Sequence, residues 1–124
     1  MNRLRHRSDF LRVHSTSVRV SSRHFVFLLA PSAVAPSTRV GITASRKVGT
    51  AVVRNRARRL VREALRAMPT YVPEGVDAVV VVRCALTDMR LQHVIGEWRS
   101  VQRLVMRRGA AVAATQTAAL GGTR

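Results

Sequence analysis

The stretch from Thr50 to Arg66 leaves this chain few ways to fold. Placed on a helix at about 100° per residue, Arg54, Arg58, Arg62 and Arg66 follow one another at i,i+4 steps, with Asn55 and Arg59 beside them. Val53, Ala57, Leu60, Val61 and Ala64 gather on the opposite side. Such a helix must lay its apolar stripe on another layer while it holds a guanidinium surface in the open. Like charges at this spacing repel by about 0.2–0.5 kcal/mol per pair, and only Glu63, four residues after Arg59, offsets them nearby. The missing anions are expected from outside the chain.

The flanking segments supply the other layer. Gly49 suits a positive φ and Thr50 an N-cap, while Pro69, Pro73 and Gly75 predict a helix end near Met68. Before the helix, Arg39 to Ser45 alternates as a strand, with Val40, Ile42 and Ala44 toward a core and Arg39, Gly41, Thr43 and Ser45 on a polar face. After it, Val76 to Cys84 carries four consecutive valines, which predicts a central strand buried on both faces and open to parallel pairing. Arg23 to Leu29 is a further strand, with Phe25, Phe27 and Leu29 pointing one way and His24, Val26 and Leu28 the other. The Pro31/Pro36 loop between it and the strand at Arg39 predicts an antiparallel hairpin. Ser8 or Asp9 caps a short helix over 8–15 that groups Phe10, Val13 and His14. Asp88 caps a last helix whose stripe of Leu91, Val94, Ile95, Trp98, Val101, Leu104 and Val105 is core packing. Gly109 to Arg124 shows no periodicity and reads as a disordered Ala/Thr/Gly tail, so the domain is 1–108.

Charge narrows the function. Lysine and arginine number 22 against 6 acids, a net charge of +16, and no acid occurs between Asp9 and Glu63. A GC-rich genome accounts for Arg over Lys and for abundant Ala and Val, but not for missing acids, which mark a polyanion binder. A single cysteine, Cys84, excludes an intrachain disulfide and reads as a small buried apolar residue. No apolar run approaches the roughly 20 residues of a membrane helix, and the basic N-terminus lacks an apolar segment, so a cytoplasmic protein without membrane contact is expected.

Catalytic constellations are hard to find. Asp9, Glu63, Glu74, Asp77, Asp88 and Glu97 include no pair spaced for acid/base work on one helix face. His6, His14, His24 and His93 show no metal-ligand spacing with one another or with Cys84, and Val48-Gly49-Thr50 lacks the rest of a phosphate loop. No catalytic residue and no metal ligand is therefore assigned. The arginine helix remains, and a merely solvated helix interleaves Glu with its cations, which this one does not. Contact with nucleic acid is the better reading.

From Ser45-Arg46-Lys47-Val48-Gly49-Thr50-Ala51-Val52-Val53 through Arg54-Asn55-Arg56-Ala57-Arg58-Arg59-Leu60-Val61-Arg62-Glu63 the sequence closely resembles the protein subunit of bacterial ribonuclease P. The likeness is long and ungapped, and it extends through Asp9-Phe10, Arg23 to Leu29, Arg39-Val40-Gly41, the valine strand and the last helix. It implies an α+β two-layer sandwich like the second domain of ribosomal protein S5: a four-stranded mixed sheet, about three helices and a left-handed βαβ crossover. It implies an RNA-binding surface of Arg46, Lys47, Arg54, Asn55, Arg56, Arg58, Arg59 and Arg62 against the catalytic RNA. It also implies a cleft of Phe10, His14, Val26, Leu28, Thr43 and Ser45 for the single-stranded 5′ leader of precursor tRNA. His14 and Leu28 stand where some members carry Phe and Tyr, which weakens the stacking expected there. The resemblance further implies an endonuclease holoenzyme that removes the leader with Mg²⁺ bound mainly by the RNA, and no obligate protein partner. The rival readings are a structural RNA-binding protein, ribosomal component or RNA chaperone, with no processing role, and a helix-turn-helix DNA binder, which the flanking strands fit badly.

Overall fold

A computed structural model describes residues 2–16, 18–34 and 36–122. In chain order they form β1 (Asn2–Arg3), α1 (Arg7–Thr16), β2 (Val18–Ser21), β3 (Phe25–Pro31), β4 (Arg39–Ala44), a 3-10 turn (Arg46–Val48), α2 (Ala51–Ala67), β5 (Val76–Val82) and α3 (Leu91–Gly122). The sheet is mixed and runs β1-β4-β5-β3-β2. β5 pairs in parallel with β4 and antiparallel with β3, so the valine strand is central, as its composition predicts.

That central place overturns the predicted hairpin. β3 and β4 are not neighbours, because β5 inserts between them: a strand apolar on both faces is best satisfied with a partner on each edge. The sheet has five strands in place of the expected four. β1 pairs with only Arg39 and Val40, and β2 presents a single buried side chain, Val20, so neither carries a period readable from the sequence.

α2 and α3 cover one face. Ala57, Leu60, Val61 and Ala64 of α2 and Val94, Trp98 and Val105 of α3 join Phe25, Phe27, Leu29, Val40, Ala78, Val80 and Val82 in the main core. Trp98 stands edge-on to Phe25 and Phe27 with centroids at 5.7 and 5.3 Å, and the Tyr71 hydroxyl donates to the Trp98 carbonyl at 2.5 Å. α1 lies on part of the opposite face, where Val13 packs with Leu4, Leu28, Ala30 and Val79.

Ion pairs fix both ends of this arrangement. Asp77 of β5 is fully buried and receives Arg39 Nε at 3.1 Å and Nη2 at 2.7 Å, the Ala33 amide at 3.2 Å, and Arg12 of α1. Burial pushes this carboxyl up, but the Arg39 bonds, the Ala33 amide and Arg12 outweigh it and hold the group below its usual range. At the far end Glu97 of α3 accepts from the Ser22 hydroxyl at 2.5 Å and the His24 amide at 2.8 Å, with its other oxygen 2.5 Å from His24 Nδ1. Burial again raises and these donors lower, with a net downward shift. A lowered carboxylate contributes stability above its unfolded pKa that is lost as pH falls through the folded one. Between about pH 5 and pH 3 the Glu97→Gln variant is expected to lose less stability than the parent chain, read as the pH dependence of the urea midpoint. Parallel curves for the two proteins refute this role.

α3 departs from expectation at both ends. The Arg90 amide is capped by His93 Nδ1 at 2.9 Å, so Asp88, exposed in the preceding turn, does not cap the helix. The helix also continues past Arg108, where the sequence predicts a disordered tail, and runs to Gly122. Alanine is the best helix former, and Gly109 reads as a stop only out of context: a Cβ there would meet Pro73 Cγ at 2.6 Å. Gly109 is where α3 approaches the 69–75 loop, and Val112 is buried one turn on. The predicted tail is thus helical as far as Gly122, and its last two residues, 123–124, lie outside the described ones. Cys84 follows the end of β5 and is half-buried, less enclosed than its sequence predicts.

Candidate nucleic-acid interface

Local geometry aims α2. The 3-10 turn buries Val48 and leaves Arg46 and Lys47, which precede it in the sequence, exposed. Gly49 then adopts φ +148°, where a Cβ would meet Val53 Cγ1 at 2.9 Å, and Thr50 Oγ1 accepts from the Val53 amide at 3.4 Å.

The arginine ridge is not straight. Each i,i+4 step overshoots a full turn by about 40°, so the row winds from the packed flank to the open side. Arg54 and Arg58 are accordingly half-buried, and Arg62 and Arg66 exposed. Arg54 Nε is buried without a hydrogen-bond partner among the described residues. Arg58 donates to Asn55 Oδ1 at 3.2 Å and to the Ala44 carbonyl at 3.4 Å, which aims it over the β4 edge. Asn55 and Arg59 are exposed.

Arg56 lies on the other flank. It donates to the carbonyls of Leu86 and Met89, the latter at 2.8 Å, and so fastens the segment entering α3. Its half-buried guanidinium is held by two carbonyls of its own chain, which leaves less of it free for the surface where the sequence reading placed it. Helical angle alone hints at this; the return of the chain at 86–89 does not follow from sequence.

Beside α2 is a groove of about 800 Å³, lined by Arg58, Arg62, Leu65 and Arg66, by Arg3, Leu4, Arg5 and Phe10, and by Val40, Gly41 and Ile42 of β4. It exists because β1 stops at Arg3 and leaves the rest of the β4 edge uncovered. Five arginines line it and, among the described residues, no acid does. Their mutual repulsion favours an anionic occupant, and arginine forks suit phosphate.

Phe10 links this groove to the sheet. Its ring sits over Gly41, where a Cβ would come within 2.5 Å of two ring carbons. On the same sheet face, register aligns Val26, Val81 and Thr43 in one row; all three are half-buried, and Val26 and Val81 pack against the cluster that α1 covers with Val13. His14 and Ser45 are exposed. Leu28 differs: it is 3% exposed beneath α1, packed with Val13, and does not line the open part of this face. Val81 takes a place in the open row that the sequence reading missed; the pairing Val26–Val81–Thr43 reveals it, and only the strand order supplies that pairing.

Among the described residues no three of His, Cys, Asp and Glu converge on a possible ion site. Asp9 and Asp77 are paired with arginines and Glu97 with Ser22 and His24, so these carboxylates do not fit an Mg²⁺ site. No described helix is long and apolar enough to cross a membrane.

The Ribonuclease P family matches residues 1–106 of the chain. Similar curated proteins include the "Ribonuclease P protein component" of Oleidesulfovibrio alaskensis, 42% identical over 91 residues that cover 73% of each chain. That of Gluconacetobacter diazotrophicus is 36% identical over 110 residues, 88% of this chain and 95% of the relative. Among solved structures, the RNase P protein of Staphylococcus aureus superposes with a TM-score of 0.72 at 26% identity, over 84% of this chain and 94% of its own. The RNase P protein of Thermotoga maritima gives 0.70 at 30% identity, over 82% and 96%.

Proposed function

The chain belongs to the ribonuclease P protein family, and from that premise we propose how it serves a ribonuclease P ribonucleoprotein that matures the 5′ end of tRNA in the cytoplasm. The open side of α2, with Arg46, Lys47, Arg54, Asn55, Arg58, Arg59 and Arg62, binds the catalytic RNA. Phe10, His14 and the row Val26–Val81–Thr43, with Ser45 at its end, hold the single-stranded leader of precursor tRNA. The observation that carries this is the acid-free groove in which Arg58, Arg62 and Arg66 meet Phe10. Single-stranded RNA is commonly gripped by a basic channel with an aromatic platform for a base.

Mg²⁺, held mainly by the RNA, supplies activated water and stabilises the leaving oxygen in such hydrolysis. The protein's own part is positional: its guanidiniums neutralise phosphates that would otherwise repel, and Phe10 stacks on a leader base. Mixing the protein with a bacterial ribonuclease P RNA and precursor tRNA at low Mg²⁺ is expected to give leader removal that requires all three. RNA binding without any gain in cleavage would instead support the structural RNA-binding alternative.

Phe10→Ala is expected to lower leader-dependent substrate affinity by about 1–3 kcal/mol, the worth of one base stack, with affinity for the catalytic RNA nearly unchanged. Gly41→Ala tests the same seat from below. Its methyl displaces the Phe10 ring and crowds Leu4 Cβ at 3.2 Å, so leader affinity should fall as in Phe10→Ala at a stability cost of about 1–3 kcal/mol. Equal losses toward both RNAs in titrations of either variant count against two separate surfaces.

A further inference from the structure

α3 carries a second cationic ridge that none of the above uses. Arg99, Arg103 and Arg107 recur at i,i+4 and are all exposed; at about 100° per residue Arg103 and Arg107 lie nearly opposite the buried Val94, Trp98 and Val105, and Arg99 lies on the flank of that outward side. Among the described residues the outward side holds no counter-charge. Glu97, the acid on this helix, is turned to Ser22 and His24, and the neighbouring Arg108 donates to the Arg19 carbonyl. At Gly96, on the same outward side, an added Cβ would meet nothing within 4 Å.

We propose that Arg99, Arg103 and Arg107 form a second phosphate-docking surface for the same folded RNA that α2 contacts. The choice of partner follows from the layering. α2 and α3 pack together on one face of the sheet, whereas the open row of Val26, Val81 and Thr43 lies on the other. An RNA seated on the outward side of α2 is thus on the same face of the sheet as α3, whereas the leader row lies on the other face and meets α2 only round the β4 edge, where Phe10 adjoins Arg58, Arg62 and Arg66. Steps of about 6 Å along the helix spread the three guanidiniums over about 12 Å. A double-stranded nucleic acid presents a phosphate about every 3.4 Å per strand along its axis, so one backbone can meet the whole ridge. The inference rests on the RNA-binding reading of α2.

The test compares Arg99→Gln/Arg103→Gln/Arg107→Gln with Arg58→Ala/Arg62→Ala in full-length protein. Glutamine keeps helix propensity, and circular dichroism verifies the fold. Binding to the ribonuclease P RNA of the same organism is titrated across salt. The α3 triple variant is expected to flatten the log–log salt slope by about one unit for each arginine that touches a phosphate and to weaken binding at least about tenfold at 0.1 M salt. A slope like the parent's, or a loss confined to precursor tRNA, overturns the proposal. If Arg58→Ala/Arg62→Ala binds undisturbed, the reading of α2 fails, while the α3 arm is still decided by its own slope. Contact is separated from diffuse charge by an iron chelate tethered at Arg103→Cys in a Cys84→Ser chain. Local cuts in the bound RNA are expected, and their absence also overturns the proposal.

Discussion

Replacing Asp77 with alanine is expected to lower stability by about 3 kcal/mol, toward the lower end of the cost of breaking a buried ion pair. The carboxylate is wholly buried and holds two guanidiniums at once, Arg39 through two hydrogen bonds and Arg12 beside it. Its removal leaves the two guanidiniums to share Asp9 as their remaining carboxylate and the Ala33 amide without this acceptor. Arg12 is 32% exposed at its side chain and can turn to water, which is why the cost does not reach the full range. For a domain whose whole stability is about 5–15 kcal/mol, that is a large share. Urea unfolding should show a lower midpoint at unchanged slope, and Asp77→Asn, which keeps the shape and one acceptor, a smaller shift. A loss under about 1 kcal/mol shows that the network is not structural. Because the Asp77 pKa is lowered in the fold, its contribution is present above the ordinary carboxylate range and fades as pH falls through the folded value. Arg12 also donates to the Pro31 carbonyl and so holds α1, which carries Phe10. Asp77→Ala is therefore expected to weaken leader binding more than binding to the catalytic RNA.

Neither Asp77's partners nor their effect was readable beforehand. Arg39 and Arg12 stand 38 and 65 residues away in the chain, and local periodicity carries no information at that range. The same limit hid the strand order. The sequence marks β5 as central because valine on both faces needs cover on both, but it does not say which strands flank it. What the helical period governs was legible: the packed stripe of α2, its Thr50 cap, its end at Met68 and the core face of α3. Misreadings arose where a local signal had a tertiary cause. Gly109 reads as a helix stop and is a point of close approach, Leu28 reads as a cleft residue and is roofed by α1, and Arg56 reads as surface charge and anchors a loop. The two predicted surfaces are joined at Phe10 because a short β1 leaves the β4 edge open, a consequence of pairing length that no motif announces.

Arg58→Ala/Arg62→Ala is expected to weaken binding to the catalytic RNA on the order of fifty-fold at 0.1 M salt, with a salt slope shallower by about two. Each arginine on a phosphate releases counterions worth about 0.9 in that slope, and two contacts extrapolated to equal affinity at 1 M give the fold-change. Both side chains line the groove, and Arg58 is held there by the Ala44 carbonyl and Asn55, so little ordering entropy opposes its contact. The folded state should lose nothing comparable. Neither guanidinium has a carboxylate partner among the described residues, and removing two like charges from an arginine row relieves repulsion of a few tenths of a kcal/mol per pair, so the urea midpoint is expected to hold or rise slightly. Loss of RNA affinity with a retained midpoint separates a binding role from a structural one. An unchanged slope, or an affinity loss that follows a falling midpoint, removes these two residues from the interface.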